Sequence, residues 1–181
     1  MIVPSIDYLR ECFDCDSDSG LLIWKARPRR HFKDERSYAT TNSRFAGQAA
    51  GAVTRWGYVY VQLGSERIHA HRIIWAINTG AWPSRFLDHI NGDKADNRIA
   101  NLREADRSQN GANRPVSPKN KVGLKGVCPH GRRFRAQIKT REKVIYLGMF
   151  DTPELAHEAY AAAAIKHHGE YAGGIQKKHA S

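Results

Sequence analysis

Residues 88–110, DHINGDKADNRIANLREADRSQN, constrain the fold of this chain more than any other stretch. An Asp-His pair leads into a Gly/Asp/Asn turn, then a short apolar run ending at Asn101-Leu102, then a polar segment reaching Asn110. Gly, Asp and Asn supply the backbone conformations that tight turns need. The layout therefore reads as strand, turn, strand and helix start, with His89, Asn101 and Asn110 at intervals of twelve and nine. Taken singly the pieces are ordinary, because turns of this composition are common and a His beside an Asp is usually a surface pair. Their combination at this spacing points to chemistry.

The stretch resembles the ββα-metal core of HNH nucleases, in the variant whose last ligand is Asn instead of His. The resemblance implies cleavage of nucleic acid, and the residue types suit that reaction. Hydrolysis of a phosphodiester needs a water made nucleophilic and charge neutralised on the phosphate and leaving oxygen. Histidine is the side chain best matched to taking a proton near neutral pH. A hard divalent cation that keeps several waters can clamp the phosphate. By resemblance, His89 is the general base, Asp88 and Asn110 hold one divalent ion (magnesium, or manganese), and Asn101 braces the orientation of His89. Adjacent strand residues point to opposite faces, so Asp88 and His89 serve one site only if the strand end is twisted or bulged.

Charge agrees with a polyanionic partner. Lys and Arg number 29 against 18 acidic residues, a net charge of +11. Residues 112–147 hold ten Lys or Arg and one acid, Glu142, so this segment alone carries +9. Contacts to phosphate release counterions and give affinity regardless of sequence, which makes nucleic acid the expected partner. No apolar run is long enough to span a membrane, and MIVPSIDYLRECFD lacks the basic-then-apolar pattern of a secretory signal. With three cysteines, an odd number, the expectation is free structural thiols in a reducing, cytoplasmic setting. Cys12 and Cys15 form a CxxC, but Cys128 and His130 make a poor second half for zinc.

Upstream of the motif, Ile6, Leu9 and Phe13 have helical spacing, and residues 16–20 form a turn before a strand at 21–24. Residues 25–46, basic and polar, are expected to be irregular, either a solvated loop or a DNA-contacting arm. Tyr58–Leu63 and Arg67–Ala70 read as a hairpin about Gly64-Ser65. Ile73, Ile74 and Ile77 then share a helical face, with His71 and Arg72 opening the helix in packing or capping roles. This order also looks like the N-terminal part of phage-type HNH endonucleases.

After RPVSPKNK (114–121), a linker by composition, comes a second unit. In Arg133–Lys139, Phe134, Ala136 and Ile138 alternate with Arg133, Arg135, Gln137 and Lys139, so one face is apolar and the other cationic. Ile145 and Leu147 face inward, and Val144 and Tyr146 outward. Thr152 suits a helix cap, Pro153 its first turn and Gly169 its end, with Ala156, Ala159, Tyr160, Ala162 and Ala163 forming a small-residue face. Residues 122–174, above all YLGMFDTPELAHEAYAAAAIKHHGE, resemble the Apetala-2/ERF-type DNA-binding domain. That resemblance implies three antiparallel strands against one helix, presenting Arg133, Arg135, Gln137, Lys139 and Tyr146 to DNA. The plant family's first strand is rich in Arg and Trp, whereas Val127-Cys128-Pro129-His130-Gly131 stands here, so no base preference carries over.

The expected fold class is α+β. An HNH endonuclease domain occupies 1–113 (core motif 71–113), followed by the linker, the sheet-and-helix domain at 122–174, and a basic tail at 175–181. The expected function is a homing-type endonuclease that binds double-stranded DNA as a monomer or weak dimer. Two other classes fit the charge: a non-catalytic DNA-binding regulator with a degenerate core, and a structural RNA-binding protein.

Overall fold

A computed structural model describes residues 3–178, with side chains to residue 173. Among the described residues the fold is mixed α+β, five helices with several small antiparallel sheets. It divides into a first unit, made of the chain through His89 and of Asp93–Glu104, and a second, made of Ile90–Gly92 and of the chain from Ala105 onward.

The first unit opens with helix α1 (Ile6–Cys12), where the Ser5 hydroxyl accepts from the Tyr8 N–H at 3.2 Å, satisfying one of the exposed first-turn donors. Strands β1 (Phe13–Asp16) and β2 (Leu21–Trp24) form a hairpin. Gly20 in its turn has φ +72°, and a Cβ there would sit 2.4 Å from the Arg98 nitrogen; the Ile99 N–H also donates to the Ser17 carbonyl at 3.0 Å. The hairpin turn is thus fitted against the backbone at 97–99.

Residues 25–46 differ from the irregular segment expected. They contain a 3-10 turn at Arg29–His31 and helix α2 (Glu35–Phe45). The Asp34 carboxylate accepts from the Ser37 N–H at 2.7 Å, and Asn42 pairs through its amide with both backbone groups of Arg27. No residue of α2 is buried, so capping and side-chain anchoring, which leave no apolar stripe to read, organise the segment.

Next come β3 (Ala52–Val53), β4 (Val59–Leu63) and β5 (Glu66–His69), a three-stranded sheet with β4 central. Helix α3 (Ala70–Thr79) follows directly and ends at Gly80, whose φ of +75° is the left-handed cap that glycine favours. Its buried face, Ala70, Ile73, Ile74 and Ala76, packs with Leu9, Cys12, Phe13, Leu22, Val61 and Leu102 in the core. Strands β6 (Phe86–His89) and β7 (Leu102–Ala105) then pair. Glu104 fixes the entry to β6 by accepting from the backbone N–H groups of Ser84 (2.7 Å) and Arg85 (3.3 Å). Asn101 lies on a 3-10 turn, Ile99–Asn101, rather than on the strand itself.

The second unit begins with helix α4 (Arg107–Asn113), whose capping box joins Asp106 and Gln109. Here Asn113 donates to the Ile90 carbonyl at 3.4 Å. Strands β8 (Val127–His130), β9 (Arg133–Lys139) and β10 (Val144–Phe150) form an antiparallel sheet with β9 central, and helix α5 (Pro153–His168) packs on it. Thr152 caps α5 and Pro153 occupies its first turn. Ala156, Tyr160 and Ala164 are its buried residues; Ala162, expected on this face, is exposed. The spacing of four selects one narrow stripe, and Ala162 lies outside it. A bulge between Tyr146 and Gly148 leaves Leu147 extra, so Gly148 pairs with Ala136. Gly126, φ +77°, approaches α5 so closely that a Cβ would fall 1.9 Å from the Tyr160 ring. A 3-10 segment, Gly169–Lys178, ends the described chain, so the tail expected at 175–181 lies partly outside it.

Cys12, Cys15 and Cys128 are all free thiols, and Cys12 is a core residue whose thiol burial pushes up in pKa.

Candidate functional site

At the end of β6, Asp88 and His89 are both buried, 5% and 4% exposed. As strand alternation requires, they take different partners. Two donors of Arg103 on β7, Nε at 3.0 Å and Nη2 at 2.9 Å, converge on Asp88 Oδ2. His89 Nε2 lies 3.2 Å from the Asn97 Oδ1, and Asn97 is itself buried. An amide oxygen only accepts, so this contact puts the imidazole proton on Nε2 and the basic lone pair on Nδ1.

Two further histidines and a tyrosine gather around His89. The His71 ring stands edge-on to His89 at 5.0 Å between centroids and lies 4.9 Å from His69. Tyr58 reaches His69, His71 and His89, at 5.0, 5.8 and 6.2 Å. Burial disfavours the charged imidazolium, and the neighbouring cationic forms add to the effect. His69 is lowered to about 4 and His71 to about 3. His89 is also lowered by burial, opposed by its bond to Asn97 and by the charges of Asp88, Asp93 and Asp96. His69 and His71 are neutral at pH 7, and burial favours the neutral form of His89. A neutral, oriented imidazole beside a buried carboxylate can accept a proton, which is what activation of water demands.

The Asn101 amide donates to the Asp96 carbonyl at 2.8 Å and so holds the turn that precedes it. Asn110 is half-buried on α4, in the second unit. Asp88 and Asn110 offer oxygen donors of the kind a hard cation takes. Among the described residues, no group of three His, Cys, Asp or Glu side chains could hold a metal.

In the second unit, Arg133, Arg135, Gln137 and Lys139 alternate along β9 and so share the face opposite α5, where Tyr146 pairs directly with Gln137. Tyr146 is 60% exposed. Arg133 is tied to Asp151 at 2.8 Å and to the Met149 carbonyl, whereas the buried Nε of Arg135 has no hydrogen-bond partner. Gln137 and Lys139 also line a groove with Arg107, Arg114, Lys125 and Arg141, which contains no Asp or Glu among its lining residues. Burial lowers Lys125 to about 8.

Sequence reasoning passed over Asn97, Arg103 and the packing of His71 on His89. Asn97 reads as turn chemistry because it stands in Ala-Asp-Asn, and Arg103 has no signal beyond its place in the second strand. His71 carried the only clue, a histidine in the first turn of a helix whose following face is apolar.

Residues 69–112 match the family model of the HNH endonucleases. No curated protein and no solved structure matches the chain. The matched stretch runs from His69 through the paired strands to α4 and holds every residue of the buried histidine cluster except Tyr58. It supports an HNH nuclease domain, and with it activity on DNA, inside a mixed α+β fold.

Proposed function

We propose that this chain is a metal-dependent DNA endonuclease of the homing HNH type. The observation that carries the reading is His89, buried at a strand end and oriented through Nε2 by Asn97. In this reading His89 Nδ1 takes the proton from the attacking water. Asp88 and Asn110 would hold one divalent cation, magnesium or manganese, which would supply charge neutralisation at the phosphate and leaving oxygen. Arg103 aims the Asp88 carboxylate through two donors on Oδ2, and Asn101 braces the intervening turn through Asp96. The resting ion pair on Asp88 favours no rival by itself, since a buried carboxylate needs a partner in any role.

The sheet of the second unit, at 122–174 and beyond the linker at 114–121, would bind duplex DNA through Arg133, Arg135, Gln137, Lys139 and Tyr146. Their shared face and the acid-free groove beside them support this. A three-stranded sheet can enter a major groove as a β-ribbon does. One such centre cuts one strand per engagement, so a monomer nicks and a weak dimer would break both strands.

The test is relaxation of supercoiled plasmid carrying candidate target DNA, with Mg²⁺, Mn²⁺ or EDTA, by the wild type and His89→Ala. Metal-dependent nicking that His89→Ala loses is expected. Binding without nicking in either metal would replace the reading with a non-catalytic DNA-binding regulator.

A further inference from the structure

Between β3 and β4 the chain turns at Thr54-Arg55-Trp56-Gly57, and this turn is built rigidly. The Gly57 N–H donates to the Thr54 carbonyl and the Thr54 N–H to the Tyr58 carbonyl, both at 2.8 Å. Gly57 takes φ +84°, which a side chain would resist. Lys94, one residue past Asp93, donates to the Trp56 carbonyl at 3.1 Å and lies over the Tyr58 ring at 4.8 Å. The turn is therefore fastened to the loop that follows His89. Its tip nonetheless leaves Trp56 66% exposed, with the Arg55 guanidinium 4.7 Å from the indole centroid.

We infer that the Arg55-Trp56 turn is a nucleobase-stacking contact, placing a base of the DNA strand to be cut beside the His89 centre. The inference rests on the nuclease reading and deepens it. A rigidly presented indole offers a π face that any base can stack upon, and such stacking tolerates sequence. Arg55 and Lys94 add cations at the same tip, matching the phosphates that flank a stacked base. One exposed aromatic with two cations is too small for a stable protein interface, which needs on the order of 1,000 Å². Position supplies the link to cleavage: Tyr58, two residues after Trp56, touches both His71 and His89. Trp56 would thus set the register of the strand without touching the reacting atoms.

Binding can be read without cleavage. The full chain in EDTA, at fixed salt, is titrated with short duplex and single-stranded oligonucleotides while tryptophan emission is followed. Trp24, Trp75 and Trp82 are at least partly buried, so Trp56 dominates any change caused by stacked bases. Strong quenching is expected for the wild type and for His89→Ala, with little in Trp56→Phe. Trp56→Ala should bind about tenfold more weakly, and Trp56→Phe should retain most of the affinity. Because the side chain is exposed, both variants should keep the wild-type urea midpoint. Equal affinity in wild type and Trp56→Ala, or identical quenching in wild type and Trp56→Phe, overturns the inference while leaving a His89-dependent nicking result standing. A wild type that binds neither oligonucleotide overturns both.

Discussion

Lowering the pH should destabilise the first unit through His71, and the size of the effect follows from its surroundings. His71 is 6% exposed and faces His89, His69 and Tyr58; burial, then the charge of His89, lowers its pKa to about 3 from an ordinary 6.5. An unfolded chain takes up the proton as pH falls through 6.5, whereas the folded chain refuses it until about pH 3. Stability from this residue is therefore complete above about pH 6.5 and declines as the solution is acidified below it. At about pH 5 the interval is roughly 1.5 pH units, which at about 1.36 kcal/mol per unit makes a loss of about 2 kcal/mol. His69, lowered to about 4, acts in the same sense but less fully because it is partly exposed. His71→Phe keeps an aromatic ring of similar shape and removes the titration. Urea unfolding at pH 7 and at about pH 5, followed by tryptophan emission, reads this unit alone, since all four tryptophans (24, 56, 75 and 82) lie in it. The variant should lose about 2 kcal/mol less than the wild type over that interval. Parallel losses in the two proteins would refute the reasoning.

Asn97→Ala should slow nicking by about ten- to a hundredfold by freeing the tautomer and ring orientation of His89, as loss of supporting contacts does elsewhere. Because the Asn97 bond raises the His89 pKa, the acidic limb of the pH–rate profile should move to lower pH in this variant; an unmoved limb would count against the contact. Arg103→Ala removes two donors from the buried Asp88 carboxylate and should cost about 3–5 kcal/mol in urea unfolding, with Arg103→Lys recovering only part because it cannot place two donors on Oδ2. Gly126→Ala should destabilise the second unit by about 2–4 kcal/mol, combining overpacking on Tyr160 with a left-handed backbone, as measured by far-UV circular dichroism against denaturant.

Where periodicity or turn chemistry dominates, the fold could be read from the chain. The hairpin about Gly64-Ser65, helix α3 with its glycine cap, and the strand–turn–strand–helix order of 88–110 all follow local rules. The alternation of β9 likewise placed Arg133, Arg135, Gln137 and Lys139 on one face. Helix α2 was illegible because it buries nothing: its stop and start signals, Asp34 and the Asn42 bond to Arg27, are single polar residues in a basic segment. The motif was legible, but not the contacts that surround it. Asn97 on His89 and His71 edge-on to His89 are contacts between side chains eight and eighteen residues apart, set by how the turn and α3 fold back. Such contacts leave no periodic trace.

The β1–β2 turn bears on what could be cut out and moved. Residues 69–112 hold the recognisable motif, yet the backbone at 97–99, which carries Asn97, is wedged against Gly20 and hydrogen-bonded to Ser17. A fragment starting at His69 would expose that backbone to water and leave Asn97 without its backstop. Transplanting the motif to another scaffold would meet the same gap, so the smallest self-supporting form of the motif includes the β1–β2 turn, some fifty residues before the matched stretch begins.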